Sequence, residues 1–283
     1  MKIRILLIIS TALVVFQTTF GQEYKPVELA QKIFGKDTLF NIKPYCTGEY
    51  QGEPNGRNIN PKVVLKFVTL GLTDSTAVIA MTITDSTGVG IDTYLHFQKD
   101  TTWKICAFRA LAMTAMLEKM LNDLEKMTDT DIENAIKQSK KAKTEDAKFL
   151  TSREDYNYQI GNIRLTLELD ENIIKHFKTN YTIFDSLKSE ALLEIKRRSL
   201  TPANKIDLLK SQKTKYRSVF ISNVLYGDFE VCRSCVTFYI GGILDNTVGY
   251  IYAPDKADLP KMSPDNVIML KEIAGGWYIF KTT

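Results

Sequence analysis

Apolar positions recur along this chain in three rhythms, and the changes between them divide it. The first is a continuous run from Ile5 to Phe16, behind Lys2 and Arg4. The second is a set of short apolar runs cut by turn chemistry: Val63–Leu72, Ala77–Thr84, Ile91–Lys99 and Trp103–Arg109. The breaks are Thr73-Asp74-Ser75, Asp85-Ser86-Thr87-Gly88 and Asp100-Thr101-Thr102, so the pattern predicts an antiparallel meander. Before it, Pro26 to Phe34 predicts a helix that ends at Gly35, and residues 46–61, rich in Gly, Asn and Pro, predict a long loop.

The third rhythm is helical. Met113, Met116, Leu117, Met120, Leu121, Leu124 and Met127 fall at spacings of three and four, a core-facing stripe on the simplest reading. A methionine-rich stripe also suits a promiscuous binding groove. Residues 137–148 are strongly charged and predict a solvated helix face or linker. Asp170 reads as the cap of a helix through Ile173, Ile174 and Phe177; Leu187 to Ile195 supports another, and Pro202 begins a further short one. Strands then return: Tyr216–Tyr226, Val236–Ile240, Val248–Ala253, Val267–Ile273 and Trp277–Thr282.

Both tryptophans open the last strand of a half, just after a turn, and each follows a Val-Gly pair that starts a Tyr-containing strand. Gly90 precedes Trp103 by 13 residues, and Gly249 precedes Trp277 by 28. The difference of 15 matches the Pro/Asp/Lys-rich stretch Pro254 to Asn266, which reads as an insertion. The expected fold class is therefore α+β: two helix-plus-antiparallel-sheet halves, related by duplication, joined by a helical connector. The expected boundaries are 22–112 for the N-terminal domain, 113–168 for the connector and 169–283 for the C-terminal domain.

The first rhythm reads as a secretory signal peptide covering residues 1–21. Its apolar run is about 12 residues, against about 20 for a membrane span, and Thr19-Phe20-Gly21 supplies the small residues of a cleavage site. Removing it takes 21 of the 283 residues and lowers the net charge from +4 to about +2. A nearly neutral exported chain has no electrostatic case for nucleic acid. No second apolar run is long enough to cross a membrane, so none is expected after cleavage. The expected location is the periplasm or the medium, where the four cysteines would oxidise. Proximity pairs Cys232 with Cys235 and leaves Cys46 and Cys106 as a second candidate pair, although four cysteines permit three pairings.

The helix, long loop and strands ending in Asp100-Thr101-Thr102-Trp103-Lys104-Ile105 resemble the end of NTF2-like (SnoaL-type) domains, over about residues 24–112. That resemblance implies a cone-shaped pocket between helices and sheet, used by some members for isomerase or hydrolase chemistry and by others only to bind or dimerise. The C-terminal half, ending in Gly-Gly-Trp-Tyr-Ile-Phe-Lys, resembles uncharacterised exported bacterial proteins.

Candidate chemistry is sparse. Asp92, Tyr94, His96 and Gln98 alternate and so share one strand face, where Asp92 or His96 could serve as a general base and Tyr94 as an oxyanion donor. The competing explanation is a solvated polar face, with Leu95 and Phe97 turned to the core. Cys232-Arg233-Ser234-Cys235 has redox spacing, but Val236 to Ile240 continue it as strand, which favours a structural disulfide over a thiolate at a helix N-terminus. With two isolated histidines, His96 and His176, and a single CxxC, no metal site is expected. No cofactor motif is present either: Gly88-Val89-Gly90 lacks the third glycine and the strand–helix setting of a dinucleotide site. Leu259 and Met262, in the proline-stiffened loop from Ala253 to Asn266, either form a recognition surface or tuck beneath the sheet.

These readings converge on an exported, non-catalytic binding module of the bacterial cell envelope, whose partner is a protein, a surface glycan or a small apolar ligand. The alternatives are an NTF2-like enzyme acting through Asp92, Tyr94 and His96, or a thiol oxidoreductase built on Cys232 and Cys235.

Overall fold

The computed structural model describes residues 23–144 and 150–283. The expected signal peptide lies outside the described residues, as does the end of the charged stretch. The fold is α+β, with two antiparallel sheets of four and six strands.

Helix α1 (Pro26–Phe34) opens the chain, with Pro26 in its first turn and the Glu28 carboxylate accepting from the Lys25 backbone N–H at 3.0 Å. The first sheet is a plain meander of β1 (Val64–Leu72), β2 (Thr76–Thr84), β3 (Gly90–Lys99) and β4 (Trp103–Ala110), each within a residue of its expected bounds. Ile79, Met81, Leu95, Phe97 and Ile105 alternate onto one face, where they meet Leu29, Ile33 and Phe34 of α1 in a fully buried core.

The connector divides into α2 (Thr114–Glu125) and α3 (Asp129–Lys141), separated at Thr128, whose hydroxyl accepts from the Asp131 N–H. A third helix, α4 (Arg153–Leu167), packs against α2 around Leu117, Leu124, Ile132, Tyr156 and Ile163. Here the methionine expectation is corrected. Leu117 and Leu124 are the residues that α2 buries, whereas Met113, Met116 and Met120 are 40, 53 and 39% exposed. The side of the stripe that carries Leu117, Leu121, Leu124 and Met127 packs into the cluster with α4.

Helices α5 (Asp170–Thr179) and α6 (Tyr181–Arg197) follow, then β5 (Ile206–Leu208), α7 (Lys213–Arg217), β6 (Asn223–Asp228), β7 (Cys232–Ile243), β8 (Asn246–Tyr252), β9 (Val267–Ala274) and β10 (Trp277–Thr282). Two expectations fail. Pro202 leads into β5, not a helix, and Tyr216–Tyr226 is helix end, left-handed turn and strand in succession. Phe220 makes that turn at φ 59°, its carbonyl held by the Asn162 amide at 2.8 Å.

The second sheet runs β5-β6-β7-β8-β10-β9. Strand β10 pairs with β8, as β4 pairs with β3, so each tryptophan strand lies beside its Val-Gly strand. The halves differ by more than the stretch Pro254 to Asn266: β9 follows it and pairs on the far side of β10. The tyrosines are not equivalent, however. Tyr250 packs on the same face as Trp277, whereas Tyr94 points away from the core that holds Trp103.

The main core lies between the second sheet, α5, α6 and the inward face of the first sheet. Phe177, Phe184, Phe238, Tyr250 and Trp277 form its centre, with Phe177 4.8 Å from Phe184 and 5.0 Å from Trp277 between ring centroids.

Candidate functional site

The polar face of β3 is not solvated. Asp92, Tyr94 and His96 are 6, 0 and 3% exposed, because the second half of the chain covers them; only Gln98, at the strand end, is exposed. The Asp92 carboxylate accepts from Thr82 Oγ1 at 2.5 Å and from the Asp170 backbone N–H at 2.6 Å. Asp170 is thus the first residue of α5 and not its cap; Leu169 holds the cap position without a side-chain bond, and Asp92 serves from another sheet. Tyr94 donates its hydroxyl to the Asp170 carboxylate at 2.9 Å, and the Lys281 ammonium from β10 lies 2.8 Å from the same group.

Two carboxylates, a phenol and an ammonium therefore satisfy one another between the halves. Burial pushes the Asp92 carboxyl above its ordinary range, helped by the neighbouring Asp170 charge and opposed by Lys281. Burial pushes the Tyr94 phenol up in the same way, again with Asp170 adding to it. His96 lies beside the Ile268 backbone with Nε2 unpartnered; burial, then the Arg109 charge, pushes its pKa down to about 4. A cavity of about 80 Å³ touches Asp92 and Lys281, room for about two or three waters. Beneath the opposite face, α1 fills the place where the NTF2-like resemblance implies a pocket.

The open concave surface lies elsewhere. A groove of about 800 Å³ runs along the outer face of the second sheet and around its strand ends. Asn223, Tyr239, Thr247 and Thr282 line its floor, Lys205, Glu230 and Asn266 its rim, and Tyr158, Asn162 and Arg217 its far wall. These residues come from separate strands, loops and helices, so no local motif announces them. The alternation that sends Val224, Phe238 and Val248 into the core necessarily sends Asn223, Tyr239 and Thr247 outward.

Asp228 anchors one side of the groove. Fully buried, it accepts from Tyr239 Oη and pairs with Lys205 Nζ at 3.2 Å. A bulge at Gly227 (φ 76°) brings it there, and a Cβ at Gly227 would lie 2.2 Å from the Asn204 carbonyl. Burial, then hydrogen bonding to Asp228, raises the Tyr239 phenol, so it stays a neutral donor. The far wall is equally braced: Asn162 donates to the Phe220 and Ile240 carbonyls, and Arg217 stacks 3.9 Å from the centre of the Tyr158 ring while pairing with Asp155. Gly241 lets α4 come this close, since a Cβ there would meet Thr166 Oγ1 at 2.5 Å.

Cys232 and Cys235 form a disulfide within the first turn-like residues of β7, both buried, with Cα atoms 5.4 Å apart. The second candidate pair is not formed: Cys46 and Cys106 are both free. Their backbones are neighbours, but the Cys46 thiol points at the Ile42 carbonyl and the Cys106 thiol at the His96 carbonyl, on the other side of β4. Burial raises both thiols above the usual cysteine range. Leu259 and Met262 are half-buried. Leu259 packs under the second sheet with Tyr278 and Cys232, and Met262 lies over Gly71 of β1, so the loop covers more surface than it offers. His176 stacks on Phe220 at 5.7 Å and bonds the Val219 carbonyl at 3.2 Å, a packed position on α5.

Among the described residues no three His, Cys, Asp or Glu side chains converge as metal ligands, and no helix is long and apolar enough to cross a membrane. No protein-family model, curated protein or solved structure matches the chain.

Proposed function

We propose that this protein is an exported binding module of the cell envelope that holds a polar partner, a protein segment or a glycan, in the groove on the outer face of its second sheet. One observation carries the reading. The groove of about 800 Å³ is open and braced, with the hydrogen-bonding side chains Asn223, Tyr239, Thr247 and Thr282 beside apolar and charged ones, while the ionisable candidates Asp92, Tyr94 and His96 are enclosed between the halves. A surface of that kind recognises by many modest contacts. It suits a small apolar ligand less well, because its floor presents Asn223, Thr247 and Thr282. The buried Cys232–Cys235 disulfide agrees with a life outside a reducing compartment.

An NTF2-like enzyme needs substrate access to Asp92 and His96, and the cavity beside Asp92 is far too small for that. A thiol oxidoreductase needs an exposed sulfur, and Cys232 and Cys235 are 4 and 0% exposed.

The test is native mass spectrometry of the mature chain from its own cell, followed by glycan and peptide arrays, with wild type beside Asn223→Arg. The wild type is expected to retain or capture a ligand that the arginine, projecting into the groove, displaces. Equal capture by both proteins removes the groove from the function.

A further inference from the structure

The edge of the second sheet at β9 faces another groove, of about 630 Å³, bounded by α5. On the strand side the groove meets Lys271, Glu272 and Ile273, three consecutive residues. Strand β9 ends the sheet, so its outer backbone N–H and C=O groups emerge on this side, next to a bulge at Ile273 in its pairing with β10. Strand β9 is buried over Val267–Met269 and emerges beyond them. Among the described residues its strand partner is β10, on the other edge, and β1 of the first sheet also approaches β9.

On the helix side, Ile174, Lys175 and Lys178 share the face of α5 that turns to the groove. Half-buried Ile174 and Ile273 make the floor apolar. The charges around it are unbalanced. The carboxylates are already engaged, Glu171 by Lys66 and Glu272 by Lys256 at 2.9 Å. Lys175, Lys178 and Lys271 have no carboxylate within ion-pair distance among the described residues.

We propose that this edge accepts an extended acidic segment of a partner protein as an added strand. Main-chain hydrogen bonds to β9 hold it, alternate apolar side chains rest on Ile174 and Ile273, and its carboxylates meet the three lysines. From Glu171 to Thr179 the helix face is about 12 Å long, which matches about four residues of strand. The surface shares no residue with the 800 Å³ groove, so it stands or falls separately from the function proposed above.

The experiment is fluorescence anisotropy on the full mature chain with a labelled hexapeptide of alternating Glu and Val. The expected result is saturable binding that weakens about tenfold or more in Lys175→Glu/Lys178→Glu and in Lys271→Glu. It should weaken similarly when salt rises from about 0.05 to about 0.5 M. All three lysines are solvent-facing, and an unchanged melting temperature shows that the variants fold. N-methylation of alternate amides in the peptide should weaken binding at least as much, since it removes the strand pairing. Absence of binding, indifference to N-methylation, or binding of phosphatidylglycerol vesicles in place of the peptide would each overturn the proposal.

Discussion

The two sheets use the same alternation and dispose of their polar faces in opposite ways. In the first, the face carrying Asp92, Tyr94 and His96 is pressed against the second half and its groups find partners there. In the second, the face carrying Asn223, Tyr239, Thr247 and Thr282 is partly covered by the loop after β8 and by α4, and it borders the 800 Å³ groove. A polar strand face is therefore ambiguous by itself. The two faces differ in how their charges are held: the enclosed face pairs Asp170 with Lys281 out of solvent, whereas the groove face holds its charged side chains at a half-exposed margin.

Six variants test that contrast, from the largest expected effect to the smallest. Lys281→Met should strip the enclosed cluster of its cation and leave the Asp170 charge buried, costing about 3–5 kcal/mol in urea unfolding. The same change at Lys205, whose side chain is 39% exposed, should cost far less. Equal costs would erase the distinction between the two faces.

Acid should act on the enclosed face next. His96 is held near 4 in the folded protein against 6.5 in the unfolded chain, so the unfolded chain binds the extra proton. Stability should thus be flat above about pH 6.5 and fall by about 3 kcal/mol toward pH 4, a loss that His96→Gln removes. Asp92 works in the other direction: its raised carboxyl takes up a proton more readily when folded, so Asp92→Asn should steepen the acid loss. Melting curves across that range for the three proteins decide both signs.

On the open side, Cys232→Ser/Cys235→Ser should cost about 2 kcal/mol, since the disulfide closes a very short loop. Cys106 should resist alkylation in the folded protein and react only on unfolding. Asn223→Arg should leave the unfolding free energy within about 0.5 kcal/mol of wild type while abolishing ligand capture. A large loss of stability there would show that the groove is structural.

Much of this architecture was legible in advance. The four strands of the first meander lie within a residue of their apolar runs, because each is bounded by Asp, Ser, Thr or Gly turn chemistry. The pairing of β4 with β3 followed from the same meander. Strand order in the second sheet was not legible: nothing local in Val267–Ala274 says that it lies beyond β10. Tyr216–Tyr226 misled because its left-handed turn falls on Phe220, with no glycine to mark it, and depends on Asn162 from a distant helix. For the candidate site, Asp92, Tyr94 and His96 were visible as a set, but solvent and a second domain call for the same alternation. The groove residues were invisible because their proximity exists only after both sheet and helices have formed.

The bond from the Asp170 N–H to Asp92 gives the molecule an internal clock. Helix α5 cannot satisfy its first amide from its own neighbours; it waits for a carboxylate 78 residues earlier in the chain. The exchange rate of that single proton with deuterium therefore counts how often the two halves part company. Compared with amides deep in β2 or β10, it would tell whether the halves breathe independently or melt as one cooperative unit.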